Sequence, residues 1–503
     1  MNASSLRLCL IVALGGLLSS CLVGPNYHRP AVPVPARYKE LSGWTAAQPA
    51  DGAPKGNWWT AFHDPLLDQL EPLVAVSNQT VRQDYWNYEE AVAEVKVARS
   101  QLFPTLGITG SATRAGGPAS AVGVAPTAGT GSTGGASTVI SSVALEGTAS
   151  WTPDLWGKVR RLIEENAATA EADEATLANA TLSEQTLLAT TAIELRLADA
   201  DIELQRRTVE AYRDALRVTR QQGMAGITAT PPSAVITAQV ALETQEAALV
   251  GLGVARAQYA HAIAVLVGRN PEALDIAHST VMPTLPTVPV GVPSTLLQRR
   301  PDIAAAERTM DAQNAAIGIA VAAYYPTLSL SAAAGFSQSP LDGLLHAANH
   351  VWSIGATGTE TVFDFGARHG QVEAARAAYE GAVASYRQTV LNAFEDVEND
   401  LAGLRILAEQ AKALEVAVRD ALRGTQIALA EFQAGTVDYT TVAAAQEIQL
   451  ADQQSALSVE ESRLLDAVSL IGDLGGGWSD SELRDPLHPS KPAVADVPPP
   501  PLP

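Results

Sequence analysis

The chain has 503 residues, 47% of them apolar, with 33 basic and 54 acidic side chains and a net charge of −21 at pH 7. That length is a prior for about three domains. The negative surplus, unbroken by any Lys/Arg run, excludes sequence-reading or backbone-tracking nucleic-acid binding, and aromatics at 5% disfavour base-stacking platforms. The two cysteines, Cys9 and Cys21, cannot build a disulfide framework, and the rest of the chain has no thiol chemistry.

The amino terminus accounts for both cysteines. Arg7 followed by the uncharged stretch Leu8 to Leu18 has the length of a secretory h-region and is too short to span a bilayer, so residues 1–20 read as a signal peptide. Leu18-Ser19-Ser20-Cys21 resembles the bacterial lipobox, in which the thiol is acylated and becomes the first mature residue. Removal of Arg7 takes the net charge to −22. No uncharged apolar run of about 18 residues follows Cys21, so the expectation is that any membrane crossing is made by β-strands, which must close into a barrel to pair their backbones.

Residues 21–63 read as an extended strap, with Pro30, Pro33, Pro35 and Pro49. Asp64-Pro65 is a helix-start signature, opening a helical stretch to Phe103 that Pro72 is expected to kink or delay. Leu106, Ile108, Gly110 and Ala112 then alternate with small polar residues, as do Val143, Leu145, Gly147, Ala149 and Trp151, which is strand period. Between them, 22 of the 24 residues from Ala115 to Thr138 are Gly, Ala, Ser, Thr or Pro, which predicts an exposed, flexible loop. Lys158 to Gln222 is 65 residues without Gly or Pro, a helix of roughly 100 Å at 1.5 Å per residue. Gly223, Gly226 and Pro231-Pro232 are expected to form its turn, and a second helix runs from Ser233 to Val267.

The same order then recurs. Tyr325-Pro326-Thr327-Leu328 echoes Phe103-Pro104-Thr105-Leu106, strands are expected around Leu328 to Phe336 and Trp352 to Gly358, and Asp364-Phe365-Gly366 echoes Asp154-Leu155-Trp156-Gly157. Gly157 and Gly226 are 69 residues apart, as are Gly366 and Gly435, so the punctuation marks a duplicated unit. Residues 64–282 form the first repeat and 283–478 the second, with 479–503 read as a Pro-rich disordered tail. Two strands per repeat give four per chain, and four cannot close a barrel. Two copies give eight strands around a filled interior, whereas three give twelve around a wider lumen, so conduction favours three.

Four separated motifs carry a family signature: Cys21-Leu22-Val23-Gly24-Pro25-Asn26-Tyr27-His28-Arg29-Pro30; Trp58-Trp59 with Phe62 and Asp64; Leu296-Leu297-Gln298-Arg299-Arg300-Pro301-Asp302-Ile303 with Glu307; and Leu474-Gly475-Gly476-Gly477-Trp478. In that order the mature chain resembles the outer-membrane efflux lipoproteins of the TolC-like superfamily, OprM/NodT-like branch. The resemblance implies an α+β membrane protein: a trimeric twelve-stranded outer-membrane β-barrel continued by a long periplasmic α-helical barrel. It also implies a periplasmic adaptor and an inner-membrane pump, usually proton-driven, as partners, with Gly226 and Gly435 at the periplasmic tips. Family members commonly carry acidic residues six and nine positions after the tip glycine. Here those positions hold Pro232 and Val235, and Thr441 and Ala444, leaving Asp438 as the carboxylate near the second tip.

Residues for covalent chemistry are sparse. None of the eight histidines lies in His-Glu-x-x-His, and no cysteine pair suits zinc. His346 and His350 are four apart but have no helix or further ligands, and read as loop residues. Gly129 to Gly134 matches a dinucleotide fingerprint only in letters, and Asp364-Phe365-Gly366 lacks every other kinase element, reading as a strand-to-helix turn. Arg299 and Arg300 are expected to form a structural salt network with Asp302 and Glu307. Trp151, Trp156, Tyr324, Tyr325, Phe363 and Phe365 flank strands and fit either a membrane-interface girdle or a buried belt. The reading is a non-enzymatic exit duct for drugs or other small molecules, without cofactor or metal, gated near Gly223, Gly226, Gly435 and Asp438. The competing readings are a duct for protein secretion and a periplasmic coiled-coil scaffold lipoprotein, which leaves the strands unexplained.

Overall fold

The computed structural model describes residues 22–35, 37–40, 57–118, 137–225, 232–288, 296–338 and 344–487. Cys21, Gly226, the Gly129–Gly134 stretch and the leader lie outside the described residues. Two compact units divide the chain: one comprises Met1–Arg29, Ala91–Thr169 and Thr309–Ala382, the other Pro30–Glu90, Ala170–Arg308 and Val383–Pro503.

The first unit holds a four-stranded antiparallel sheet in the order β1 (Thr105–Pro118), β2 (Ser137–Trp151), β3 (Thr327–Gln338) and β4 (His350–Thr359). The first hairpin runs farther than composition suggested. Ala115 pairs with Ile140 and Pro118 with Ser137, so both ends of the expected loop belong to the ladder, and residues 119–136 lie outside the described ones. Backbone pairing is indifferent to side-chain size, which is why a Gly/Ala-rich segment extends a strand already in register. His350, expected in a loop, begins β4 with its ring edge-on to Phe336.

Eight helices accompany the sheet among the described residues: α1 (Pro65–Ser77), α2 (Gln79–Ser100), α3 (Lys158–Met224), α4 (Pro232–Leu266), α5 (Leu296–Arg299), α6 (Pro301–Ala322), α7 (Ala367–Gln433) and α8 (Tyr439–Asp473). The two long helices α3 and α7 are 67 residues each, and α4 and α8 are 35 each. The Asp64 carboxylate caps α1 by accepting from Leu66 N–H at 2.8 Å, with Pro65 in the first turn. Pro72 is carried inside α1, and the break falls instead at Asn78. Its Oδ1 accepts from Thr80 and Val81 N–H while its Nδ2 donates to the Leu266 carbonyl, so one amide restarts the helix and fastens it to α4.

In the second unit the main core gathers Tyr38, Trp59, Phe62, Leu67 and Val74 with Leu188 and Ile193 of α3, Val397 and Leu401 of α7, and Leu464 and Leu470 of α8. Asp64 also receives a bidentate Arg196 at 3.0 Å on both oxygens, a buried pair joining the Trp58-Trp59 motif to α3. Contrary to the expectation of no spanning helix, α4 is long and apolar enough to cross a membrane by length and composition. Arg256, the one formal charge after Glu246 in α4, reaches fully buried Asp199 at 2.6 Å and the Ile276 carbonyl, which fastens the helix to α3 at that point. Residues 479–487, expected within a disordered tail, are ordered: Ser479 caps a 3₁₀ turn over Asp480–Glu482, and Arg484 N–H donates to Glu174 at 2.7 Å. Residues 488–503 lie outside the described ones.

Candidate functional site

Residues facing each other across paired strands share one face of a sheet. The register places Leu106 opposite Ala149 and Ala149 opposite Ala332, which faces Ile354. Likewise Gly110, Leu145, Phe336 and His350 follow one another across the sheet, and Trp151, Leu330 and Ala356 do the same. The other face carries Thr105 opposite Ser150 opposite Ser331, and Thr109 opposite Glu146 opposite Gly335. From Leu106 to Ala112 and across all four strands one face is therefore apolar, giving way at the far end to Arg114, Ser141, Gln338 and His350, while the other face is mostly small and polar. Leu106, Ile108, Trp352 and Ile354 are 81, 83, 70 and 79% exposed, so nothing among the described residues covers them. The strands have 14, 15, 12 and 10 residues, each enough for a tilted crossing of hydrocarbon.

Aromatic residues collect at the strand ends. Trp151 Nε1 donates to the Leu102 carbonyl at 3.0 Å, Trp156 Nε1 to the Pro326 carbonyl at 2.7 Å, and the Trp156 and Tyr325 rings stack 4.9 Å apart. Tyr324 carries the Arg368 guanidinium over its ring, and Phe363 and Phe365 stand exposed. A wet tip and an apolar body suit such side chains to a membrane interface. Asp364 accepts from the Gly366 and Arg368 N–H groups, while Phe365 and Gly366 take positive φ. That is a strand-to-helix corner, as the sequence suggested.

The helix ends expected at the gate form a second core. Val209, Tyr212 and Leu216 of α3, Ala238 and Leu242 of α4, Phe432 of α7, and Tyr439 and Val442 of α8 pack together. Gln222 Nε2 donates to the Phe432 carbonyl at 2.8 Å, a buried bond between α3 and α7. Gly223, expected in the turn, lies inside the last turn of α3, because the helix continues to Met224. Gly435, at φ 75°, closes α7: its N–H reaches the Phe432 carbonyl and the Thr436 N–H that of Glu431, the two bonds of a Schellman motif. Asp438 is exposed and caps α8, accepting from the Thr440 hydroxyl at 2.6 Å and from Thr441 N–H. Those two hydrogen bonds, that from Thr440 first, hold its carboxyl below the usual range.

Arg300 gathers more partners than the sequence suggested. Its guanidinium takes Asp302 through Nε and Nη2, Asp473 through Nη1 at 3.0 Å, and lies 3.6 Å from Asp396. Arg299 meets the glycine motif through its backbone: a Cβ on Gly475 would stand 2.0 Å from the Arg299 carbonyl oxygen. Glu307, in α6, is also engaged in an interaction. No group of three or more metal-ligating side chains occurs among the described residues.

A model of the outer membrane efflux protein family matches residues 72–269 and 292–476. The chain belongs to the outer membrane efflux protein family. SrpC of Pseudomonas putida, a solvent efflux pump outer membrane protein, is similar at 30% identity over 492 residues, spanning 96% of this chain and 100% of its own. The cation efflux system protein CusC of Escherichia coli is 26% identical over 476 residues, 94% of this chain and 98% of its own. The solved outer-membrane channel OprN superposes with a TM-score of 0.82 at 27% identity, covering 91% of this chain and 100% of that one. The efflux protein is thus an α+β outer-membrane channel component that serves as an exit duct, and its family members are channels, not enzymes.

Proposed function

We propose that three copies of this efflux protein, each lipid-anchored at Cys21, close their sheets into a twelve-stranded outer-membrane barrel. The assembly serves as the passive exit duct of a tripartite pump with a periplasmic adaptor and a proton-driven inner-membrane transporter. One observation carries the reading: a sheet with one apolar and one polar face whose outer strands, β1 and β4, each pair on one side only. In hydrocarbon those free edges need further strands, and copies of the same sheet supply them head to tail around a ring. Small organic molecules released by the pump pass along the polar face, with no covalent step. Gly223, Gly226, Gly435 and Asp438 sit at the gate, and outward movement of these helix ends admits substrate. Arg299, Arg300, Pro301, Asp302 and Glu307 serve as structure. Unboiled gel mobility of outer-membrane fractions, with an image of the purified particle, tests the assembly. A monomer lacking a lumen overturns it, and a deletion strain unchanged across a panel of toxic organic compounds overturns the transport role.

A further inference from the structure

Arg161 is the largest side chain fully buried in the described chain, at 1% exposure. An arginine so deeply placed must spend its donors on specific acceptors. Its Nε donates to the Val23 carbonyl at 3.1 Å, its Nη2 to the Gly24 carbonyl and to Asn26 Oδ1 at 2.9 Å, and its Nη1 to Glu164 at 2.7 Å. Three of those acceptors lie in four consecutive residues of the strap. Asn314 Nδ2 adds a bond to the Pro25 carbonyl, and Val23 N–H donates to the Trp156 carbonyl. Packing closes the other side: a Cβ on Gly24 would stand 2.5 Å from the Gly318 Cα, and one on Gly318 would stand 2.8 Å from the Arg161 side chain. Gly24 holds φ 93°, a conformation that favours glycine. The position after Gly366 that matches Arg161 after Gly157 is Gly370, with open space around it, so the second repeat lacks this device.

We propose that Arg161 is a positioning residue for the membrane anchor, clasping Val23–Asn26 so that acyl chains on Cys21 enter the membrane beside the foot of the sheet instead of on a free tether. The proposal rests on the reading of Cys21 as acylated. Cys21 is two residues from Val23, a reach of at most about 7 Å, and Val23 is bonded to the residue whose ring stacks on Tyr325. The clasp therefore ties the anchor to the level of the aromatic side chains, and the acyl chains act as a fixed lipid against the apolar face near Leu106 and Trp151.

Cells making the full-length protein and fed a diazirine-bearing fatty acid test this, with crosslinks from acylated Cys21 mapped by mass spectrometry. In the wild type they fall on peptides covering 102–108, 151–156 and 325–330. In Arg161→Ala, acylated to the same extent, most move to phospholipid; an unchanged map overturns the proposal. If Arg161→Ala does not fold, the double variant Asn26→Ala/Asn314→Ala, which removes only strap-side bonds, decides by the same map. Amide exchange of Val23–Asn26 is expected to quicken about tenfold in either variant, and unchanged exchange also overturns the clasp. A wild-type chain without an acyl group on Cys21 overturns the anchor reading and this proposal together, and protected Val23–Asn26 amides distinguish that outcome from a failed clasp.

Discussion

Arg300 donates to both the carboxylate and the main-chain carbonyl of Asp473, 173 positions farther along the chain. It thereby ties the entry of α6 to the exit of α8, where Gly475 and Gly476 complete a Schellman closure. Asp302 and Asp396 share the same cation, whose side chain is 12% exposed. Removing one partner of a buried cluster leaves the others uncompensated, so Arg300→Met should destabilise the fold by about 3–5 kcal/mol. Arg300→Lys should recover only part of that, because an ammonium cannot serve Asp302 and Asp473 in one plane. Thermal unfolding in detergent checks both.

Carboxylates outnumber the cation at this junction, and the proton makes up part of the difference. Burial, and after it the neighbouring Asp473 carboxylate, pushes the Asp400 carboxyl upward. A raised folded-state pKa means that the folded chain holds a proton the unfolded chain gives up near pH 4. That contribution is present at acid pH and is lost as pH rises toward the folded pKa. Asp400→Asn should flatten the decline of stability between about pH 4 and the folded pKa, measured as the melting temperature of variant and wild type across that range.

Glu71 shows the same sign more simply. It is fully buried in α1 near Leu67, Leu70 and Val74, with both oxygens lacking a hydrogen-bond partner among the described residues. Burial raises its carboxyl from 4.5 to about 9. Stability should fall as pH climbs from about 4.5 to about 9, through the window between unfolded and folded values. Glu71→Gln should match the wild type near pH 5 and exceed it near pH 9. Denaturant midpoints at the two pH values decide this, and equal losses in both proteins would contradict the assignment.

Near the proposed gate, Gln222 and the shared core bind the end of α3 to that of α7 within one chain, so the two helix pairs should move together if these ends part. Gln222→Ala removes the side-chain bond to the Phe432 carbonyl, which keeps only the Gly435 N–H, and loosens that union. Raised single-channel conductance in planar bilayers is the expected outcome. Conductance unchanged from wild type would mean that the bond has no part in closure.

Asp438 should act mainly as a cap. Asparagine caps as well as aspartate, so Asp438→Asn should keep the start of α8 ordered, while Asp438→Ala frays it. The acidic surplus spread over the chain should give a cation preference that weakens with salt, and Asp438→Asn should lower it only modestly. Reversal potentials in salt gradients test the charge, and amide exchange over residues 438–445 tests the cap. Anion selectivity would refute the electrostatic half.

Alternation and helical punctuation are local signals, so the strands around Leu106, Val143, Leu328 and Trp352, the Asp64 cap and the two long helices were legible from the sequence. The break at Asn78 was not, because its cause is a bond to Leu266 and a turn for which Pro72 was the more conspicuous candidate. Nor was Arg161, which looks like any helix-face arginine until the strap is laid over it. Asp473 and Asp396 could not be assigned to Arg300 for the same reason: spacing along a chain carries no information about partners brought together by packing.

The unpaired margins of β1 and β4 have a cost before the channel exists. A fourteen-residue outer strand with Leu106 and Ile108 bare is a template for any extended polypeptide, and a soluble protomer offers two such margins at once. Between synthesis and insertion each protomer is therefore at risk of clumping with its siblings in the wrong order. Overproduction that outpaces insertion should therefore yield insoluble protein.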